Sequence, residues 1–381
     1  MLSPFAVRLR TQYLTSLGST AGRLYAISTA GSLVGTLLAG FYLLPLFRVS
    51  TIFLGCSVAL TIPALVYQTT RHRRGLALAA SALVLTAASW RPATETRGGL
   101  RHVSESHFGQ IKVLDSGKTR YMLVNGATQT LLDLETRASL AIYPPLLAKL
   151  AYQAKSDGKS ALVIGLGGGA LPPLFASWGV ESVVVEIDPE VVTVDEDYFD
   201  FDTSATEVVI ADGRQYLAAT DRSFDYIVLD AFAGEVIPAH LLSTQMIDLV
   251  QQRLRPDGVL LVNFGGCRKG DDALPLRSLV KTVRHWLPWV EVYGTVRGDA
   301  CGSNLVVASR EPRSLADMPL PFDVAPRVQP RLDMGEPLDV DGPALLVTDD
   351  YNPLELWAVH GQEVWREGLL ETLPPSILLA E

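Results

Sequence analysis

The sequence predicts an α/β fold with an open, mainly parallel sheet, preceded by apolar helices. Residues 161–189 read as strand, glycine turn, helix and strand, followed by an acidic residue. Two more short apolar runs follow, and each ends in an aspartate. The first quarter of the chain, in contrast, contains long stretches without charged side chains. The sequence therefore predicts a membrane segment followed by an α/β core.

A glycine turn follows the first predicted strand of the core. Gly165, Gly167, Gly168 and Gly169 leave the backbone free to turn tightly and to approach a ligand. Glu186 ends the next strand roughly 20 residues further on, the distance at which a carboxylate can bind ribose hydroxyls. The pattern predicts a nucleoside site. The alternative is a glycine turn that only packs a helix against a strand.

Acidic residues also follow the third and fourth predicted strands. Asp212 and Gly213 come after residues 208–210, and Asp230 comes after residues 226–229. Because ligands of open α/β sheets bind at the carboxyl ends of the strands, these aspartates would share one rim with Glu186. The glycines also fit a dinucleotide fingerprint, but an acidic rim suits a cationic sulfonium nucleoside better than an anionic pyrophosphate.

The remaining segments complete a sheet of seven strands. A helix is predicted over residues 241–254, ending at a turn over residues 255–258, and a fifth strand over residues 259–264. Residues 290–296 and 304–309 read as an antiparallel pair that closes the sheet. This arrangement resembles the Rossmann-like fold of S-adenosylmethionine-dependent transferases.

Several motifs together resemble the spermidine synthase (polyamine aminopropyltransferase) family, in particular its membrane-fused members. They are GLGGG, VEIDPEVV, ADGRQYL, the strand ending in Asp230, and the tail TDDYNPLE. Upstream, SESHFGQIKV and YMLVNGATQTLLDL resemble the small β-hairpin domain of that family. The resemblance implies a cosubstrate, S-adenosylmethionine or its decarboxylated form, with no metal. It also implies the residues that hold the cosubstrate: Gly165, Gly167, Gly168, Gly169, Glu186, Asp188, Asp212 and Gly213.

The resemblance assigns different roles to the acidic residues. Glu186 would bind the ribose, Asp212 the adenine side, and Asp230 would orient the acceptor amine and take its proton. Asp230 could instead cap a loop or helix. His240 is a second candidate base, with anchoring of the following helix as the alternative. Asp349 and its neighbour Asp350 would either reach the acceptor mouth or form a solvated turn.

The chain departs from the family pattern at positions that recognise polyamines. Gly168 stands where the family has an aspartate in the glycine loop, and Asp230–Gly234 replaces a DSSDP-like loop. Gly109 replaces the Gln of the family's YQ, and Tyr143-Pro144-Pro145 replaces Tyr-His-Glu. With Gly168, repulsion of a donor carboxylate is lost and space is expected beside the loop, so ordinary S-adenosylmethionine becomes a plausible donor.

Three functions follow from these features. The first is transfer of an aminopropyl or related alkyl group to a small amine or polyamine. The second is methylation of a protein or small-molecule amine, because the loop after Asp230 also resembles a DAF…IP.HL pattern of methyltransferase-like relatives. The third is a membrane module that binds the nucleoside without catalysis.

Residues 24–47, 49–70 and 75–90 carry no charged side chain, and the first two stretches are long enough to cross a bilayer. Arg71, Arg73 and Arg74 predict a cytoplasmic loop, so a third crossing would put the core outside. Because S-adenosylmethionine is cytosolic, we expect a multi-pass membrane protein whose catalytic domain is cytoplasmic and whose residues 75–90 lie along or re-enter the membrane. The segment before residue 19 resembles one that follows further helices in fused relatives.

The predicted domains are a membrane domain (1–92), a β-hairpin domain (100–140), a catalytic domain (141–312) and a Pro-rich connector with tail (313–381). A net charge of -9 argues against nucleic-acid binding. Cys56, Cys267 and Cys301 lack metal-ligand spacing. A pair between the last two stays open, with a reduced compartment as the simpler assumption. The predicted partners are the amine acceptor, the lipid bilayer and a second copy of the chain.

Overall fold

The structure of the chain is a computed structural model, which divides into two compact units, Met1–Thr94 and Glu95–Glu381. It describes residues 17–44, 47, 49–69, 99–232, 234, 237–295, 301–315, 318–324, 326, 328–332 and 337–357.

The described part of the amino-terminal unit contains two apolar helices. Helix α1, Leu17–Leu38, continues as a π-helical turn over Ala39–Leu43, and helix α2 spans Val49–Thr69. Within the described residues, Gly18–Leu43 is the segment long and apolar enough to cross a membrane. The apolar part of α2 that passes the same composition test, Thr51–Thr61, is shorter than a membrane span. The third predicted apolar segment, residues 75–90, lies outside the described residues.

The second unit begins with a four-stranded antiparallel sheet in the order β1-β2-β3-β4. Its strands are joined by short turns, and their bounds are β1 Leu100–Glu105, β2 Gln110–Ser116, β3 Thr119–Val124 and β4 Ala127–Asp133. Ile111, Val113 and Met122 from one face join the core of the following domain. The small sheet is therefore packed against the larger one.

The larger sheet has seven strands in the order β10-β11-β9-β8-β5-β6-β7, as expected for the predicted α/β fold. Strands β9, β8, β5, β6 and β7 are parallel neighbours, whereas β11 pairs antiparallel with β9 and with β10. The bounds are β5 Ser160–Ile164, β6 Glu181–Glu186, β7 Glu207–Ile210, β8 Phe224–Leu229, β9 Leu254–Gly266, β10 Trp289–Gly294 and β11 Gly302–Ser309.

Helices cover both faces of this sheet. One core cluster contains side chains of α3 Tyr143–Ala154, α4 Leu171–Ala176 and α5 Pro189–Tyr198. The cluster on the other face contains side chains of α6 Gly213–Ala219, α7 Thr244–Arg253 and α8 Leu274–Arg284. The strands are buried on both sides, which explains why the sequence shows them as continuous apolar runs rather than as alternating patterns.

Two element boundaries differ from the sequence prediction. The helix expected from residue 241 begins at Thr244, because the Ser243 side chain caps it by accepting from the Met246 backbone, and a 3-10 turn over Ala239–Leu241 precedes it. The turn expected over residues 255–258 is part of β9, where the pairing with β8 shifts register. Residues 255–258 therefore lie opposite the single residue Asp225 and leave the regular ladder, at the place where the turn was predicted.

Cys267 and Cys301 form a disulfide, so the assumption of reduced cysteines is wrong for this pair. The cause is strand register. Gly266 is paired with Gly302 at the end of the β9–β11 ladder, which brings the flanking cysteines face to face. The sequence separation of 34 hid this proximity.

The carboxy-terminal segment packs on the second face of the sheet. Val347 donates its backbone N–H to the Thr282 hydroxyl and accepts from the Thr244 N–H, and a short helix, α9, spans Leu354–Trp357. Residues 358–381 lie outside the described part. The tail thus forms part of the folded unit over residues 337–357.

Gly165 follows β5 and lies against the main chain of Asp230, which follows β8. Its φ is +95°, and an added Cβ would lie 2.3 Å from the Asp230 carbonyl oxygen. Asp230 in turn donates its backbone N–H to the Ile164 carbonyl at 2.9 Å. A side chain at residue 165 would therefore push the end of β8 away from β5.

Gly165→Ala should reduce the free energy of unfolding by about 3 kcal/mol or more, because it adds both backbone strain and a clash with main-chain atoms. The matched control is Gly179→Ala, where φ is +77° but the nearest atom, Lys159 Nζ, is 3.8 Å away. Gly179→Ala should reduce the free energy of unfolding by about 1 kcal/mol. Equal losses in denaturant unfolding of the two full-length variants would contradict the close-approach argument.

Candidate active site

The carboxyl ends of five parallel strands bring the predicted site residues to one edge of the sheet. In spatial order these strands are β9, β8, β5, β6 and β7. Asn263 lies near the end of β9, and the other strands are followed by, or end in, Asp230, the glycine turn, Glu186 and Asp212. Residues scattered over 100 positions of sequence therefore share one rim, as expected for an open α/β sheet.

Glu186 fixes the glycine turn through its carboxylate. Oε2 accepts a hydrogen bond from the Leu166 backbone and Oε1 accepts one from the Asp188 backbone, both at 2.9 Å. The side chain is buried, and this burial raises the pKa of Glu186 despite the two backbone donors. Each carboxylate oxygen keeps a second lone pair for a hydroxyl group of a ligand.

Asp188 has a structural environment that the sequence did not indicate. Its Oδ1 accepts from the Glu190 backbone and caps helix α5, while its Oδ2 accepts from the Ser106 hydroxyl at 2.5 Å. Ser106 belongs to the loop between β1 and β2. Both oxygens of this predicted ligand-binding residue are thus already engaged, and one of them joins the small sheet to the large one.

Asp212 and His240 form a pair at the far end of the rim. Asp212 Oδ1 accepts from the Gln215 backbone as the cap of α6, and Oδ2 lies 2.8 Å from His240 Nε2. Although burial alone would raise it, the pKa of Asp212 is lowered, since the backbone donor and the imidazole stabilise the carboxylate. Gly213 begins α6, where an added Cβ would lie 2.3 Å from Ile164 Cγ2.

His240 lies away from Asp230. The strands that precede Asp212 and Asp230 are separated by three strand spacings of about 4.8 Å, or about 14 Å. His240 is bound to Asp212, and its backbone carbonyl accepts from Arg214. The environment of His240 therefore matches the anchoring alternative better than that of a base beside Asp230.

Asp349 of the tail is held by Arg214 in a two-pronged ion pair of 2.7 and 2.5 Å. The guanidinium group lowers the pKa of Asp349. Nearby, Asn352 donates to the Ala239 carbonyl, and Glu355 accepts from the Ala239 backbone. These contacts tie the tail to the segment that carries His240, and both carboxylate oxygens of Asp349 are engaged by Arg214.

Asp230 is the centre of a hydrogen-bonded group of three side chains. Asn263 Nδ2 donates to Asp230 Oδ1 at 2.8 Å, and the Tyr143 hydroxyl also hydrogen bonds to the carboxylate. Burial of the carboxyl group is the largest effect and raises the pKa of Asp230 to about 7, while the two donors act in the opposite direction. A carboxyl group with this pKa can exchange a proton near neutral pH.

Tyr143 and Asn263 were not identified as site residues from the sequence. Tyr143 begins helix α3 and is partly buried, and its own pKa is raised well above the ordinary value by burial and by the Asp230 charge. Asn263 is almost fully buried within β9. An asparagine inside an otherwise apolar strand was the available signal, because a buried amide needs a partner.

The space expected beside Gly168 is filled by Thr130 of the small sheet. An added Cβ at residue 168 would lie 2.2 Å from Thr130 Cγ2. The prediction of free space at this position is therefore wrong in this conformation. What remains is a small cavity of about 10 Å³, the size of one water molecule, lined by residues that include Asp230, Tyr143, Thr130, Gln129 and Ser139.

A second buried acid, Asp195, lies behind the glycine turn on α5. It is fully buried, and neither of its carboxyl oxygens has a hydrogen-bond partner among the described residues. Burial and the neighbouring Glu186 charge raise the pKa of Asp195 well above its ordinary value. Burial therefore favours the protonated, uncharged form of the Asp195 carboxyl group.

The described residues contain no group of three His, Cys, Asp or Glu side chains arranged to hold a metal ion.

Comparison with known proteins finds similarity to polyamine aminopropyltransferases and to a methyltransferase. The model of the spermine/spermidine synthase domain matches residues 140–268. A polyamine aminopropyltransferase of Vibrio vulnificus is 31% identical over 229 residues, which cover 55% of this chain and 73% of that protein. An N-terminal histidine N-methyltransferase of Emericella nidulans is also 31% identical, over 159 residues that cover 39% of this chain and 28% of that protein.

A crystal structure of a probable spermidine synthase from Corynebacterium glutamicum aligns over 56% of this chain and 80% of its own length. Its TM-score is 0.49 and its sequence identity to this chain is 18%.

Asp195→Asn should stabilise the protein at pH 8 and have little effect near pH 3.5. The folded pKa is raised from the ordinary value of 3.8, so the unfolded chain releases a proton that the folded chain keeps. Stability therefore falls as pH rises above that ordinary value, and the substitution removes this loss. Thermal unfolding at several pH values measures the effect.

Asp197→Asn, at an exposed position of the same helix, is the control and should change stability by a few tenths of a kcal/mol. A loss of stability in Asp195→Asn that is the same at pH 3.5 and pH 8 would contradict a raised pKa of Asp195 in the folded chain.

Proposed function

The chain belongs to the spermidine synthase family of transferases, and from this premise we propose that it transfers an aminopropyl or related alkyl group from a sulfonium nucleoside to an amine. The observation that carries the proposal is the state of Asp230. Its carboxyl group has a pKa of about 7, is held by Tyr143 and Asn263, and lies next to the glycine turn. That combination suits a base that accepts a proton from an ammonium group.

The nucleoside would bind along the rim from the glycine turn to Asp212. Glu186 would accept the ribose hydroxyls, with its carboxylate already aligned by the backbone of Leu166. Ile187, which follows it, is 42% exposed although it is apolar, and this supports contact of its side chain with the adenine ring. Asp212 would take the polar edge of the base.

The reaction would be an in-line displacement at the carbon attached to the sulfonium sulphur. Ionised Asp230 first takes a proton from the acceptor ammonium, which frees the nitrogen lone pair. The nitrogen then forms a bond to the carbon as the C–S bond breaks, and the electron pair of that bond leaves with the sulphur as a neutral thioether. Tyr143 and Asn263 would hold the carboxylate in position during both steps.

The acceptor is proposed to be an amine that presents a single reacting nitrogen to Asp230. Among the residues lining the cavity, Asp230 is the acid, while Gln129, Thr130 and Ser139 offer neutral polar groups. A polyamine with further ammonium groups would need its other charges balanced elsewhere, and the chain's net charge of -9 favours cationic acceptors in general.

Methyl transfer to an amine is the second candidate function. The glycine turn carries no carboxylate, and Thr130 packs against Gly168, so a neutral hydroxyl faces the donor at this position. A neutral environment accepts the carboxylate of intact S-adenosylmethionine, which an acid would repel. The similarity to a histidine N-methyltransferase also supports methyl transfer as the second candidate function.

Attachment to a membrane is part of the proposal. Gly18–Leu43 is 26 residues long and apolar, with its side chains uncovered by the rest of the described chain. A helix of this length can cross the hydrocarbon core of a bilayer. Further crossings and a cytoplasmic catalytic unit remain the prediction from the sequence.

Isothermal titration with S-adenosylmethionine and with its decarboxylated form, followed by a turnover assay with putrescine, tests the function. Aminopropyl transfer predicts at least tenfold tighter binding of the decarboxylated form together with turnover. Preference for the intact form would support methylation, and tight binding without turnover would support a binding module.

Glu186→Ala should lose nucleoside binding, whereas Glu207→Ala at the exposed amino end of β7 should keep it. Absence of binding by either nucleoside would overturn the proposal.

Asp230→Asn should lower kcat by about two orders of magnitude while leaving nucleoside affinity largely unchanged.

The wild-type rate should rise with pH through about 7, because protonation of the carboxyl group below that pH removes the base. Tyr143→Phe removes a donor that lowers the pKa of Asp230, so it should shift this rise to higher pH. A rate that is independent of pH between 5.5 and 8.5, or full activity in Asp230→Asn, would exclude the role.

A further inference from the structure

A groove of about 480 Å³ lies outside the candidate active site, between helix α8 and the segment that leads to the tail. Arg277, Lys281, Arg284 and His285 line one side. The other side is formed by main chain and apolar side chains of residues 340–346. The volume is within the range of sites for small molecules.

The groove is held open by defined contacts rather than by loose packing. Ser278 accepts the backbone N–H of Leu345 at 3.1 Å, and Thr282 accepts that of Val347 at 3.0 Å. Both hydroxyl side chains are fully buried on α8. The segment therefore runs alongside the helix at a fixed distance, with the basic residues on the flank of α8.

The basic residues form one row. Positions 277, 281, 284 and 285 lie on one side of a helix, and the row from Arg277 to His285 is about 12 Å long. Across the part of the chain that the structure describes, none of the first three makes an ion pair within 4 Å, although the chain is acidic overall. One acid, Asp341, lines the groove against three permanent positive charges.

Stabilisation of the helix does not account for the whole row. Lys281 and Arg284 lie in the last turn of α8, where cations interact favourably with the helix dipole. Arg277 lies in the first part of the helix, where a cation is unfavourable. Its Nη2 donates to the Gly270 carbonyl at 2.8 Å, but its Nε is buried without a partner among the described residues.

Gly342 brings the opposite wall close to this guanidinium group. Its φ is +138°, and an added Cβ would lie 3.0 Å from Arg277 Nη1. The absence of a side chain leaves Arg277 at the end of an open groove. The guanidinium group therefore lines the groove next to the backbone of Gly342.

We propose that this groove binds a small molecule carrying a phosphate or diphosphate group on an apolar body. The positive charges of Arg277, Lys281 and Arg284 would bind and neutralise the anionic oxygens. Val280, Val340 and Leu346 would contact the apolar part. The site is separate from the transferase site and would remain if the proposed function were wrong.

The test uses the full-length protein in a neutral detergent with three probes. Inorganic pyrophosphate and ADP represent soluble phosphates, and dihexanoylphosphatidylglycerol represents a lipid headgroup, with dihexanoylphosphatidylcholine as its zwitterionic control. We expect saturable binding of at least one anionic probe in isothermal titration, weakening as salt increases. Binding of soluble phosphates alone identifies a free metabolite, and binding of the anionic lipid alone identifies a headgroup.

Lys281→Gln combined with Arg284→Gln should weaken that binding at least tenfold. The charge-matched control is Arg101→Gln combined with Lys118→Gln, two exposed bases of the small sheet, and it should bind as the unmodified protein does. If the double variant melts at lower temperature, Arg284→Gln alone replaces it, and a threefold loss is expected. Absence of saturable binding by every anionic probe, or equal losses in the groove and control variants, would overturn the proposal.

Discussion

The close approach of β5 and β8 at Gly165 is the constraint on which the candidate site depends. The Asp230 main chain occupies the volume that any side chain at residue 165 would need. This contact places the Asp230 carboxyl group beside the glycine turn, and Glu186 fixes the turn from the other side by accepting from the Leu166 backbone. The ends of β5 and β8 are thereby joined through their backbones, and the buried carboxylate of Glu186 joins the end of β6 to the glycine turn.

Three acids near this point have different hydrogen-bond partners. Glu186 is held by two backbone donors, Asp230 by an amide and a phenol, and Asp195 by no partner among the described residues. All three have a raised pKa because burial disfavours the charged form. Of these three acids, Asp230 is the one that is half-buried and lines the adjoining cavity.

The sequence predicted the features that arise from local pattern. Apolar runs ending in acids located the strands and the rim, since the carboxyl ends of parallel strands coincide in space. It missed Tyr143, Thr130 and Asn263, which meet the site through contacts between elements distant in sequence. The sequence left the Cys267–Cys301 pair undecided for a similar reason, because the bond follows from the register of β11 on β9. Capping roles of Asp188 and Asp212 also depend on where the helices begin.

The disulfide has a consequence for the basic groove. Residues 267–301 form a covalently closed ring that contains α8 and β10. The helix that carries Arg277 therefore lies in a loop whose two ends are joined by the disulfide. In the chain-entropy model, a ring of this length is worth about 4 kcal/mol against unfolding. A protease that cut between these two cysteines would leave the fragments joined until a reductant was added. In a thiol-rich compartment the disulfide would be reduced, and non-covalent packing alone would stabilise this part of the fold.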